Sequence, residues 1–208
     1  MSRDAPAPRR PAARPDEILT AALVVFEAAG FDAARMDDIA AKAGLSKAGV
    51  YLYFESKEAL LRALIERHIA PIAERAAALA DTGKADPEGA LRAIITMVAG
   101  RISQPGLFAV PRLVVSISAR FPDIAALYRD RVVRPAWQAL TGLVEAGVSQ
   151  GRFAPIEPAC AVRALMGPML LEALRRHALG DADAADWEAW PMAQLEFALR
   201  AMKPEPKT

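Results

Sequence analysis

Apolar residues recur at helical spacing through most of the chain, and Gly or Pro stands at most of the junctions. From Asp16, the series Ile18, Leu19, Ala22, Val25, Phe26 and Ala29 predicts a first helix that stops at Gly30. Asp37 to Ala43 carries Ile39 and Ala40 on one face and ends at Gly44, and Lys47 to Tyr53 forms another short run with Val50 and Phe54 available for packing. Ser56 is placed as an N-cap, with Ala59 at the third helical position. The run Lys57 to Ala80, with Leu60, Leu61, Leu64, Ile65 and Ile69, predicts a long fourth helix bent near Pro71. Further helical patterns cover about 87–103, 107–120, 123–151, 157–179 and 185–202. Pro135 and Pro168 fall inside the third and fourth of these, which should be kinked or divided there. No strand signal or internal repeat stands out, so the expected fold class is all-α.

Composition agrees: 53% of the residues are hydrophobic and 25% charged, with alanine abundant and β-branched runs scarce. The 208 residues suit one large domain or a small domain fused to a larger one. Residues 1–15, rich in Pro, Ala and Arg, are expected to form a mobile arm. Its Arg3, Arg9, Arg10 and Arg14 face only Asp4 in charge, which fits a solubilising tail or a basic arm laid along a phosphate backbone. The net charge of +1 does not announce nucleic acid, so any DNA-binding surface must arise from local arrangement. One cysteine, Cys160, excludes an intramolecular disulfide and is expected to be a buried core thiol. The N-terminus lacks the apolar core of a secretory signal and no stretch of about 18 apolar residues occurs, so a cytoplasmic protein with no membrane partner is expected.

The segment from Asp37 to Leu60 carries the chemistry. Gly44-Leu45-Ser46 separates two short helices: glycine lets the backbone leave the first with positive φ, and Ser46 can cap the second. Such a turn sets two helices at a steep angle, as in a helix-turn-helix. Ala40, Leu45 and Val50 would fill the space between them. Small residues at the head of the second helix, Ala48 and Gly49, allow it to enter a major groove about 12 Å wide. Lys47 can donate to guanine or phosphate, Ala48 can touch a thymine methyl, and the Tyr51 and Tyr53 hydroxyls can donate to phosphate. Lys57, in the first turn of the next helix, adds an ammonium where free N–H groups already favour an anion. Each residue by itself has a commoner fate, Tyr-x-Tyr-Phe as aromatic core and Lys57-Glu58 as a solvated helix start.

Together, Phe26 through Gly30-Phe31, Asp38-Ile39-Ala40, Ala43-Gly44-Leu45-Ser46, Gly49-Val50-Tyr51-Leu52-Tyr53-Phe54 and Ser56-Lys57-Glu58-Ala59-Leu60 resemble the DNA-binding domain of the TetR (tetracycline repressor) family. The resemblance covers roughly residues 16–64. After the basic arm at 1–15 that composition indicates, it implies a helix-turn-helix domain at 16–62 and a helical ligand-binding and dimerisation domain at 63–203, which leaves a tail at 204–208. It places Lys47, Ala48, Gly49 and Tyr51 on the recognition helix, with Tyr53 and Lys57 at phosphate-contact positions and Ser46 beside them. Arg35 stands where the family commonly has a capping Ser or Thr, which puts that cap in doubt and opens a longer-range phosphate contact. Tyr53 stands where many relatives have histidine, which removes any pH dependence from that contact.

The same resemblance implies a homodimeric repressor that reads palindromic double-stranded DNA, with half-sites about 34 Å or somewhat more apart, and is released from it by a small-molecule effector. The last two long helices would build the dimer interface, with Val162, Leu165, Met166, Met169, Leu170 and Ala173 on one and Trp187, Trp190, Leu195, Ala198 and Leu199 on the other. The stretch from Arg112 through Arg120-Phe121-Pro122-Asp123 to Gly151-Arg152-Phe153 is similar to the C-terminal domain of one branch of the family. Met97, Phe108, Tyr128, Trp137 and Met166 are the candidate lining of an adaptable effector cavity, against the more frequent fate of core packing. Arg101, Arg112 and His177 could pair with an acidic ligand, but exposed charges on helices are commoner and they stay unassigned. His68 and His177 lack ligand-spaced neighbours, so no metal is expected, and no cofactor motif is present. No phosphate loop, nucleophile elbow or Ser-His-Asp order supports an enzyme. A helical adaptor without specific DNA binding is the alternative.

Overall fold

The computed structural model describes residues 14–102, 108–180 and 189–205, among which every regular element is a helix. Arg3, Arg9 and Arg10 of the expected arm, and Trp187, lie outside the described residues. The fold divides into two compact units that part between Leu64 and Ile65.

The first unit holds α1 (Arg14–Ala33), α2 (Met36–Ala43), α3 (Lys47–Tyr51) and α4 (Lys57–Leu64). The helical path of α1 breaks at Gly30, whose φ of 74° and ψ of 175° turn the chain where the sequence signals a stop. The break returns Phe31 to the interior, its ring stacked 5.7 Å from that of Phe26. Helix α1 packs on α2 and α4. The core between them is Ile18, Leu19, Phe26, Ile39, Leu60 and Leu61, all fully buried.

The second unit opens with a π-helical segment, Ile65–Ile69, followed by α5 (Ala70–Thr82), α6 (Pro87–Ile102), α7 (Ala109–Ile117) and α8 (Pro122–Tyr128). A second π segment, Arg129–Val133, leads into α9 (Arg134–Ser149), and α10 (Pro158–His177) and α11 (Trp190–Ala201) complete it. Helix α9 packs against α5, α6 and α10, and α11 packs against α6 and α10. Leu91, Ile95, Leu143, Val162, Met169 and Leu195 sit in one continuous core.

Proline explains where two long runs divide. The single helix expected from Lys57 to Ala80 is interrupted before Pro71, and that expected over 123–151 is interrupted before Pro135. In each case a π segment precedes the proline, which then sits in the first turn of the next α-helix, where its missing N–H leaves no bond unmade. Pro168 behaves differently: α10 runs through it undivided. The ring removes the donor that would reach the carbonyl of Ala164, and the side-chain amide of Gln194 on α11 approaches that oxygen at 3.5 Å.

Cys160 is exposed, not buried as its residue type suggests. It occupies the first turn of α10, where its N–H donates to the Glu157 carboxylate that caps the helix, and its side chain faces away from the core.

Candidate DNA-reading turn and effector cavity

The turn between α2 and α3 is built by three residues. Gly44 adopts a left-handed conformation (φ 66°, ψ 33°), and its N–H and that of Leu45 close the end of α2 on the carbonyls of Ala41 and Ala40. Ser46 is extended, and its hydroxyl accepts from the Gly49 N–H at 3.1 Å, capping α3. Val50, with no exposure, fixes α3 to the core, while Leu45 is half-buried. Anchoring by Val50 turns Lys47, Ala48 and Tyr51 outward; Gly49 is half-buried, and a side chain there would press on the Ser46 hydroxyl at 3.3 Å.

Tyr51 and Tyr53 each expose 44% of their surface, and Leu52 between them exposes 84%. The tyrosines are therefore not aromatic core. Leu52 was not among the expected contacts; a large apolar side chain held in water beside the recognition helix is the signal that could have found it.

The cations of this unit differ in how they are held. Lys47 pairs with Asp37 across the turn at 3.0 Å, and that hydrogen bond and charge raise the lysine's pKa, keeping the ammonium charged. Both side chains are largely exposed, so a phosphate can exchange for the carboxylate. Arg35 occupies the N-cap position of α2 with no side-chain cap hydrogen bond, and it is exposed with no side-chain partner among the described residues. Lys57 is held by backbone carbonyls. Its ammonium donates to the carbonyls of Phe31 at 2.6 Å and Asp32 at 3.1 Å and stands 4.9 Å over the Phe31 ring. The carbonyls released by the break in α1 draw the lysine inward, so it ties α4 to the end of α1. Ser56 caps α4 as its position suggests, accepting from the Ala59 N–H at 3.2 Å.

Within the second unit, α5, α6, α9 and α10 enclose a cavity of about 200 Å³ whose wall is almost wholly apolar. Phe108, Tyr128, Trp137 and Met166 line it, joined by residues such as Ile69, Val98 and Leu140. Met97 does not line it. The wall on α6 is Ile94, Ile95, Val98 and Arg101, and Met97, about 100° further round the helix, packs half-buried against the core instead. Arg101 is exposed and lines the cavity, whereas Arg112 reaches the carbonyl of His177 at 3.4 Å. Burial pushes the Tyr128 phenol up to about 12.

The outer face of α10 also corrects the sequence reading. Val162, Leu165, Met169 and Ala173 are buried in the unit's own core, as are Leu195 and Leu199 of α11. The apolar residues left in water are Leu170, Leu171 and Leu174 on α10 and Phe197 on α11. A helix with apolar residues on two sides gives no sequence signal of which side its own core takes.

An all-helical chain with a capped helix-turn-helix in a small first unit and a cavity in a larger second one is the architecture of one-component transcriptional regulators. Residues 18–64 match the model of bacterial regulatory proteins of the tetR family, and residues 79–188 match that of the tetracyclin repressor-like C-terminal domain. The chain belongs to the TetR family of helix-turn-helix transcriptional regulators. It is similar to the HTH-type transcriptional regulator YfiR of Bacillus subtilis, 27% identical over 161 residues that make up 72% of each chain. It is 45% identical over 56 residues to the HTH-type transcriptional activator FasR of Mycolicibacterium smegmatis, 27% of this chain and 26% of that one. Among solved structures, the complex of SmeT with triclosan superposes with a TM-score of 0.76 at 21% identity over 93% of both chains, and SmeT is the repressor of a Stenotrophomonas maltophilia multidrug efflux pump. Among the described residues, no helix is long and apolar enough to cross a membrane.

Proposed function

We propose that this regulator binds a palindromic operator in the cytoplasm as a homodimer and represses until a small apolar effector enters the cavity of its second unit. The observation that carries the DNA half is the turn at Gly44–Ser46, which holds α3 by Val50 while presenting Lys47, Ala48 and Tyr51 to solvent. Lys47 and Ala48 are the candidate base contacts, and Tyr51, Tyr53 and Arg35 the candidate phosphate contacts, with Leu52 against a thymine methyl or sugar. Lys57 supports the reading head from behind through its bonds to α1.

For the dimer, the exposed Leu170, Leu171, Leu174 and Phe197 are the apolar surface that a second copy would cover, and a dimer doubles the number of reading heads. Repression is supported by SmeT, which is similar over nearly the whole chain, whereas the match to the activator FasR spans a quarter of it. SmeT holding triclosan likewise supports a small-molecule effector. To move a population from 1:99 to 99:1 the effector must prefer the DNA-free conformer by about 5.5 kcal/mol, so it has to engage an element that moves. Ile69 is such a contact: it lines the cavity and ends the π segment through which the chain passes from one unit to the other.

Selection of duplexes from a random pool at near-physiological salt tests this reading. An enriched palindrome bound about 1,000-fold above scrambled DNA is expected. Well-folded protein that enriches no sequence would favour a helical adaptor.

A further inference from the structure

We infer that the cavity selects a compact apolar organic anion, its acid group held by Arg101 and the Tyr128 hydroxyl. The inference rests on the cavity's being the effector site. Among the eighteen described residues that line it, these two bring the only side-chain N–H or O–H groups besides the indole N–H of Trp137, so all three can donate. Among the described residues, no carboxylate, amide or imidazole side chain lines the space. A cationic ligand would leave water for a wall whose described residues offer no counter-charge, whereas an anion meets a guanidinium. Among the described residues, neither the Arg101 guanidinium nor the Tyr128 hydroxyl has a hydrogen-bond or ion-pair partner, whereas Arg92, Arg134 and Arg152 of the same unit are each paired with a carboxylate.

Their chemistry is complementary to an acid and persistent. Burial raises the Tyr128 phenol to about 12, so around neutral pH, where a carboxylic acid is ionised, the hydroxyl keeps its proton and can donate. Arg101 is exposed as well as cavity-lining, which lets an acid group stay partly hydrated while the apolar body fills the interior. Size narrows the class further. An apolar cavity of about 150 Å³ accepts benzene, so about 200 Å³ suits a single ring with a short acid-bearing chain, or an aliphatic acid of similar bulk.

Calorimetric titration of the full-length protein at pH 7.5 with 4-phenylbutyrate, its amide and 4-phenylbutylamine tests the inference. The acid should bind about ten-fold or more tightly than the amide, and the amine more weakly still. Arg101→Gln should erase the preference for acid over amide with helicity unchanged, Arg101→Lys should restore part of it, and Tyr128→Phe should reduce it. Amide or amine binding as tightly as the acid, or a preference that survives Arg101→Gln, would overturn the inference. If that binding disappears when Ala136→Phe fills the cavity, the cavity keeps its role as an effector site. Failure of all three compounds to bind would overturn both the inference and that role.

Discussion

The two units put their functional groups in opposite places. In the first, an interior of Phe26, Ile39 and Val50 fixes a surface, and what acts is what that surface shows: Lys47, Ala48, Tyr51 and Tyr53. In the second, the helices meet imperfectly, and what acts is the space they leave, bounded by Tyr128, Trp137 and Met166. A reading head needs rigid presentation, and its capped turn and small core supply that. A switch needs room and a choice of packings, and two π segments and a cavity give the second unit both.

Separate substitutions should break one function and spare the other. The largest effect is expected from Lys47→Ala with Tyr51→Ala, which should weaken operator binding about 100-fold, roughly 3 kcal/mol, in a fluorescence anisotropy titration. Effector binding should be unchanged in the same protein. Next, Ala136→Phe on the cavity wall should weaken effector binding about ten-fold or more while operator affinity without effector stays within about two-fold. A variant that lost both functions together, with helicity intact, would show that the division is wrong.

How far each unit could be read from the sequence follows the same division. Ser46, Ser56, Gly44 and Gly30 act through their own backbone and a neighbour three or four residues away, so local sequence shows them. The bonds of Lys57 were not legible because its partners, the carbonyls of Phe31 and Asp32, lie 26 and 25 residues back and become available only once α1 breaks. Met97 and Val98 are equally apolar neighbours, and only the packing of α6 decides which faces the cavity. The same blindness applies to α10, where Leu165 is in the core and Leu170 in water, and to Cys160, whose exposure depends on which side of the first turn the core takes. Pro71 and Pro135 announced interruptions, but not that both would be π segments placed ahead of the ring.

Smaller effects sharpen the comparison. Ser46→Ala removes the cap of α3 and should cost about 1 kcal/mol in thermal unfolding, with a matching loss of operator affinity because α3 is only five residues long. The smallest effect concerns Asp130 in the second unit, whose carboxyl is held below the usual range by its hydrogen bond to Arg129 and the charges of Arg129 and Arg134. Because the folded carboxyl titrates below the unfolded one, the stabilisation is fully present above about pH 4 and is lost as the pH falls from there through the lower folded pKa. Asp130→Asn should flatten the acid limb of the melting temperature against pH slightly, because the pair is fully exposed.

Hydrogen exchange of the full-length protein with and without its selected duplex tests the central claim most directly. The amides of residues 45–53 should show the strongest added protection on DNA binding, with the cavity-lining stretches of α6 and α9 unprotected by direct contact. Unchanged exchange across 45–53, with protection appearing elsewhere in the chain, would contradict the assignment of the α2–α3 turn as the surface that reads DNA.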